Sequence, residues 1–335
     1  MPGPLKAGAQ RALSRRAFFS VSAWLSGGLL LSGCLRGPRS RASRVAVVRV
    51  PRYSPEIKDL LRPYFRQFDL ALKGKRVLLK PNLVDCQGPG EAVFTHPAVL
   101  AAAIELFGDL GASVIVAEAS GLRRDTNTVL HHSGYTDILN KYSVPFIDLN
   151  LDSVEKVRMT SDLTGLGYLF VPKTVLEADF IVSLPKLKTH HWVGVTLSLK
   201  NLLGIMPGTK YGWPKNRFHT IGLEESILDV NLTVKADFAI IDGIIGMEGN
   251  GPLFGEKRQL GVIILSPDLL AADNVAARIM GINPKKVGYL KAASRRTGDE
   301  PAALGNWRNI DITGAPVDSV RQDFRLLEKF RYLRG

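Results

Sequence analysis

The stretch Leu184–Gly208, LPKLKTHHWVGVTLSLKNLLGIMPG, sets Lys186, Lys188, His190, His191, Lys200 and Asn201 in otherwise apolar surroundings. Leu197, Leu199, Leu202, Leu203 and Ile205 bracket the Lys200-Asn201 pair, which predicts partial burial. A buried amine needs a carboxylate, a phosphate or a covalent partner, or its pKa falls. Such a lysine is an anion clamp, an acid or base, or a cofactor anchor; the plain alternative is a structural ion pair. On this reading Lys200, Lys186 and His190 are the candidate catalytic groups, with His190 relaying a proton. Adjacent histidines point to different faces of any regular element, so only one of His190 and His191 is expected to serve a site.

Further candidates lie elsewhere in the chain. Lys80-Pro81-Asn82 supplies a cation and an amide. Together with Lys188, Asn201, Gly249 and Gly251, Lys80 and Asn82 are the candidate cofactor-binding residues. The glycines of DGIIGMEGNGP, residues 242–252, permit positive φ and close backbone approach. That run lacks the Lys-Ser/Thr ending of a phosphate-binding loop and the spacing of a dinucleotide fingerprint. Asp242 and Glu248 within it are hard oxygen donors, suited to a divalent cation or to pairing with Lys186 or Lys200. Asp268 is expected to cap a helix, and Asp273 lies on that helix. His96 and His219 both open predicted helices. Cys86 reads as a small hydrophobe.

These groups act together only if the fold gathers them. Arg44–Val50, Arg76–Lys80, Ala112–Glu118, Ala178–Leu184, Ala236–Asp242 and Gly261–Ser266 read as strands, with a short one over Val144–Leu149. Helical spacing runs over Pro55–Phe68, Pro97–Phe107, His219–Val234 and Pro267–Met280. The alternation predicts an α/β fold: a mainly parallel, Rossmann-like sheet with helices on both faces. The extended segments Val154–Met159 and Tyr168–Pro172 suggest a small accessory lobe near 150–175 and 205–220. Trp307–Ile312 is a candidate edge strand. In open parallel sheets ligands bind beyond the carboxyl ends of strands. Lys80–Asn82, Glu118, Leu184–His191 and Asp242-Gly243 are all placed at such ends.

The first forty residues read as an address. Arg15-Arg16 stands before a moderately apolar stretch diluted by Ser22, Ser26, Gly27 and Gly28, the twin-arginine export pattern. Leu31-Ser32-Gly33-Cys34 resembles a lipobox, which predicts a signal peptide over 1–33 and a diacylated Cys34. A basic tether over 34–43 would then join the lipid to a body spanning 44–335. The expected place is outside the cytoplasm, anchored to a membrane through Cys34. Residues 1–44 hold eight lysines and arginines and no acid, so +5 of the net charge of +13 belongs to the rest. Nucleic-acid binding thereby loses its compositional support. With Cys34 lipidated, one thiol remains among the 335 residues. It cannot form an internal disulfide or a cysteine-ligated iron–sulfur cluster.

Taken together, several blocks resemble the family of bacterial and archaeal proteins called DUF362, a domain of unknown function. They are Lys80-Pro81-Asn82, Thr95-His96-Pro97, Leu184–His190, Thr196–Gly204, Asp242-Gly243, Met247–Pro252 and Ser266–Asp273 with Gly281. Some relatives carry ferredoxin-like segments; the cysteines for them are missing here. The run His190…Lys200…Pro207-Gly208 is also similar to the lactate racemase-like nickel-pincer family, in which the lysine carries the cofactor. Ser198-Leu199 stands here where that family has Gly-Gly.

Three functions stay open at this point. The first is a metal- or anionic-cofactor enzyme, with redox or isomerase chemistry on a small acid. The second is a lipid-anchored binding protein for a small anion. The third is an envelope scaffold.

Overall fold

The computed structural model describes residues 42–85, 92–121, 125–295 and 309–335. Arg15, Arg16, Cys34 and Cys86 lie outside the described residues, and with them the expected signal and lipidation site. The strands are β1 (Ser43–Arg49), β2 (Arg76–Pro81), β3 (Ser113–Glu118), β4 (Phe146–Asp148), β5 (Val154–Arg158), β6 (Tyr168–Pro172), β7 (Phe180–Leu184), β8 (Lys186–His190), β9 (Gly194–Thr196), β10 (Phe238–Glu248), β11 (Glu256–Ser266) and β12 (Ile310–Gly314). The helices are α1 (Ile57–Arg66), α2 (Pro97–Asp109), α3 (Thr126–Ser133), α4 (Tyr135–Tyr142), α5 (Lys173–Glu177), α6 (Ser198–Asn201), α7 (Gly208–Tyr211), α8 (Asn216–Ile221), α9 (Leu223–Thr233), α10 (Leu269–Ile279), α11 (Gly288–Ser294) and α12 (Val317–Val320). No helix among the described residues is long and apolar enough to cross a membrane.

Ten strands form one sheet in the order β12-β1-β11-β10-β7-β2-β3-β4, with β8 paired to β10 and β9 to β8. Six of its pairings are parallel; β1–β11, β10–β11 and β8–β9 are antiparallel. The fold is therefore α/β with a mostly parallel sheet, as the alternation predicts. The pleat divides the strand residues between two cores. Leu78, Ile241 and Ile264 enter the layer with α9, α10 and α11. Val77, Leu79, Ile240 and Ile263 enter the layer with α1, α2 and α4. Both faces are covered, which is why these strands read as near-continuous apolar runs.

Two expectations are revised, and the strand order adds a finding. The helix predicted over His219–Val234 is two helices, α8 and α9, parted at Gly222 with φ +118°. There Glu225 Oε2 sits 2.4 Å from where a Cβ would stand. Asp242-Gly243 does not end its strand; β10 runs on to Glu248 with an irregular register between Gly243 and Ile245. The glycines let β8 and β11 approach. A Cβ on Gly246 would lie 3.0 Å from Leu187 O, and one on Gly243 3.1 Å from Val262 O. The first part of the glycine-rich run, up to Glu248, is thus a crowded strand, and residues 249–252 form the turn that follows it. Finally, β1 and β2 are not neighbours, since β11, β10 and β7 lie between them. Alternation fixes strand direction but not adjacency.

The 150–175 and 205–220 segments do not enclose a core of their own. β5 and β6 pair antiparallel, and Leu169, Val171, Val175, Tyr211 and Phe218 all join the α9–α10 layer. Asp229 of α9 ties the loop following β5. Its carboxylate accepts hydrogen bonds from Ser161 Oγ (3.1 Å), Leu163 N (3.1 Å), Thr164 N (2.9 Å) and Thr164 Oγ1 (2.7 Å). Asp229→Ala leaves two backbone amides without their acceptor, and should cost about 2–3 kcal/mol in denaturant unfolding. Hydrogen exchange should quicken at residues 161–165 before any other loop.

Candidate functional site

Lys80 near the end of β2 and Glu118 at the end of β3 stand on adjacent parallel strands, so their side chains meet. Lys80 Nζ lies 2.5 Å from Glu118 Oε2, and both side chains are almost wholly buried. Lys80 also donates to Pro81 O (2.7 Å) and to Asn201 Oδ1 (3.0 Å). The Asn201 amide donates back to Lys80 O (3.1 Å) and to Ser183 Oγ (3.0 Å). Gly204 lies against the pair, and a Cβ there would stand 2.4 Å from both Lys80 Nζ and Glu118 Oε1. Lys80 and Asn201, candidate ligand binders by sequence, thus have their polar groups engaged with protein.

Beyond this pair a cavity of about 240 Å³ opens at the strand ends. Four lysines border it: Lys80, Lys188, Lys200 and Lys215. Among its described lining residues the only carboxylate is Glu118, already held by Lys80. Lys188 Nζ donates to Val93 O (2.6 Å) and Pro252 O (3.3 Å). Lys215, held at φ +69°, donates to Ala119 O (2.7 Å). Lys200 Nζ has no hydrogen-bond acceptor among the described residues.

Burial dominates the electrostatics of these amines. It pushes Lys200 down to about 8, helped by the charges of Lys80 and Lys215. Burial likewise brings Lys215 to about 8 against the pull of Glu118. Lys188 is pushed well below the usual lysine range by burial, then by Lys200, Lys186 and Lys80.

Two buried oxygens at the cavity, Asn82 Oδ1 and Thr196 Oγ1, also lack partners among the described residues. His190 completes the wall. Its Nδ1 accepts from Trp192 N (3.0 Å) and Val193 N (3.4 Å), so the neutral ring carries its proton on Nε2. Burial and the neighbouring lysines hold it well below the usual histidine range.

Asp273 sets Lys200 in place. This fully buried residue of α10 accepts from Ser198 N (2.7 Å), Ser198 Oγ and Leu199 N (3.0 Å). It thereby holds the first turn of α6, while Leu197 and Leu199 enter the core. Burial raises its carboxyl to about 7 against those hydrogen bonds. Asp268 caps α10 through Ala271 N (2.9 Å), as expected.

The remaining sequence candidates fall elsewhere. Lys186 lies 2.7 Å from Asp242 Oδ2 and 2.7 Å from Tyr53 Oη, fully buried and outside the cavity lining. Asp242 also accepts from Tyr53 Oη (3.0 Å) and His96 N (2.9 Å), and His96 stacks on Tyr53 at 3.6 Å. Glu248, some six residues or roughly 20 Å of strand further on, accepts from Arg325 N (2.9 Å). Asp242 and Glu248 therefore do not converge on a cation. Among the described residues no three His, Cys, Asp or Glu side chains gather to hold a metal ion. The cationic cavity wall is itself a poor donor set for one.

Gly249 and Gly251 do not line the cavity either. Gly249 N donates to Arg325 O (2.8 Å), and Gly251 O accepts from His191 N (2.9 Å). A Cβ on Gly251 would stand 2.1 Å from Thr189 O, so that glycine serves close packing.

A family model described as a domain of unknown function, DUF362, matches residues 77–278. The chain belongs to the DUF362 family. All four cavity lysines, and the Lys186–Asp242 pair beside them, fall within the DUF362 span. A thylakoid-associated protein of Synechocystis sp. is 30% identical over 254 residues, covering 74% of this chain and 75% of that protein. Among solved structures, lactate racemase apoprotein from Thermoanaerobacterium thermosaccharolyticum is similar at a TM-score of 0.45 and 13% identity. That match covers 70% of this chain and 57% of the racemase.

Lys215 is the main cavity residue that sequence reading misses. It sits in a polar run, KYGWPKNR, that reads as solvated surface. Tyr53 carried no signal. Glu118→Gln should destabilise the protein by about 3–5 kcal/mol, because Lys80 is left buried without its counter-charge. Lys80→Met combined with Glu118→Leu should recover most of that loss, and a denaturant double-mutant cycle measures it.

Proposed function

We propose that the cavity binds a small organic oxyanion, a carboxylate or phosphate of modest size. One observation carries this reading: buried Lys188 and Lys215 and half-buried Lys200 surround a cavity whose one described carboxylate is already paired. Three such cations without counter-ions are costly, and an anion in the cavity offsets that cost. Asn82 Oδ1 and Thr196 Oγ1 supply further polar partners, the threonine as donor and the asparagine as acceptor for a ligand hydroxyl. His190 offers its Nε2–H to the same space. The wall has what an acid–base step needs, an amine near neutrality at Lys200.

Malonate and inorganic phosphate are suitable probes by calorimetry. Malonate is fully ionised above neutral pH, so its pH dependence reports the protein. Lys200 and Lys215 are protonated below their pKa values of about 8 and lose charge above them. Malonate affinity should hold near pH 7 and fall by about tenfold or more towards pH 9.5. Lys200→Met and Lys215→Met should each weaken it by about tenfold at pH 7. Equal affinity in wild type and both variants would contradict the reading.

We further propose that the protein is exported through Arg15-Arg16 and held at a membrane by lipid on Cys34. The sequence pattern supports this. So does a relative described as thylakoid-associated, in its membrane association alone. Cys34→Ser should move the protein from the membrane to the soluble fraction, and should remove the mass of the acyl chains. An unchanged distribution would count against the anchor.

A further inference from the structure

We propose that Lys200 is a nucleophilic amine that captures the carbonyl group of a small oxo acid as an imine. The inference rests on the anion-site reading and adds a covalent step to it. The four cavity lysines are not equivalent. Lys80 gives its donors to Glu118, Pro81 O and Asn201. Lys188 is tied to the carbonyls of Val93 and Pro252, and Lys215 to that of Ala119. Lys200 alone among the four has no acceptor among the described residues. A lysine bound to carbonyl oxygens is a fixed charge. One without acceptors presents a usable lone pair once it loses its proton.

The surroundings favour that loss. Lys200 faces Lys80 of β2, Lys188 and His190 of β8, and Lys215 and His219 at α8. Against these stands only Glu118 of β3, which is paired. At a pKa of about 8 roughly half of the amine is neutral at pH 8, against about 0.3% of an ordinary lysine. The same cations that lower its pKa attract a carboxylate, so one ligand brings its charge to Lys188 or Lys215 and its carbonyl to Lys200. Asp273 holds the first turn of α6 and so limits where the amine can stand.

The step balances without an oxidant or a reductant. The Nζ lone pair attacks the carbonyl carbon, the carbonyl oxygen takes one proton from the Lys215 ammonium, and the nitrogen gives one of its own back to the Lys215 amine, leaving a neutral carbinolamine. Lys215, whose charge Lys200 feels and whose pKa is likewise about 8, is the proton source of matched pKa. Lys215 then passes that second proton to the departing hydroxyl, which leaves as water while the nitrogen lone pair forms the C=N bond, so the product is a protonated imine and one water. Asn82 Oδ1 stands ready to accept a hydrogen bond from that hydroxyl.

The test uses the full chain at pH 8 with glyoxylate and sodium cyanoborohydride, which reduces an imine to a stable amine, and reads each lysine by peptide mass spectrometry. Lys200 should be modified on the order of 100-fold faster than surface lysines, from the ratio of neutral fractions. The rate should saturate with glyoxylate and fall with added malonate. Lys200→Met and Lys200→Arg, each checked for native circular dichroism and melting, should lose the fast phase.

Modification of Lys200 at the surface rate overturns the imine, as does a fast phase that survives in both variants. Malonate calorimetry on the same sample separates the two readings. Malonate binding with no fast phase removes the covalent step and leaves the anion site. Fast modification without malonate binding or protection removes the oxo acid as the ligand.

Discussion

Four lysines are buried and a fifth, Lys200, half-buried at or beside the carboxyl edge of the sheet, and among the described residues only two of the five have a carboxylate. Lys80 has Glu118 and Lys186 has Asp242, each pair closed by hydrogen bonds and almost free of solvent. Lys188 and Lys215 have carbonyl oxygens, and Lys200 has no acceptor among the described residues. Carbonyl dipoles orient an ammonium but do not neutralise it. The uneven sharing of two carboxylates among five cations shapes the rest of the site. It depresses the pKa of the unpaired amines and gives a small cavity a single sign of charge.

Several local features make sense as supports for that imbalance. Gly204 is bare because any side chain would enter the Lys80–Glu118 pair. Asp273 is buried where its carboxylate holds the short helix that carries Lys200, at the expense of its own acidity. Natural proteins tolerate such locally unfavourable groups where a ligand or a reaction needs them. The extensive two-faced core supplies the stability against which this strain is set.

The fold was largely legible, and the site only in part. Apolar runs such as FIVSL and RVLLK name buried parallel strands by composition alone, because both faces of the sheet are covered. The strand within the glycine-rich run 242–252 was not legible for a physical reason: glycine in a strand marks close approach by neighbours, which composition cannot tell from a loop. Lys200 was legible through its bracketing leucines, and Lys80 through its place at a strand end. What could not be read was pairing. Nothing in the sequence says that Asp242 takes Lys186 rather than Lys200, or that Lys215 folds in from a run resembling solvated surface. Those facts depend on β8 lying in register with β10 and on Ala119 O meeting Lys215.

The central claim is that the cavity holds positive charge awaiting an anion. Its most direct test is a lysine titration by NMR on protein carrying isotope-labelled lysine side chains, with and without saturating malonate. Lys200 and Lys215 should titrate near pH 8 in the free protein and move upward by about one unit or more when the anion binds. If both titrate in the ordinary lysine range, and malonate leaves them there, the cavity is not an anion site and the account fails.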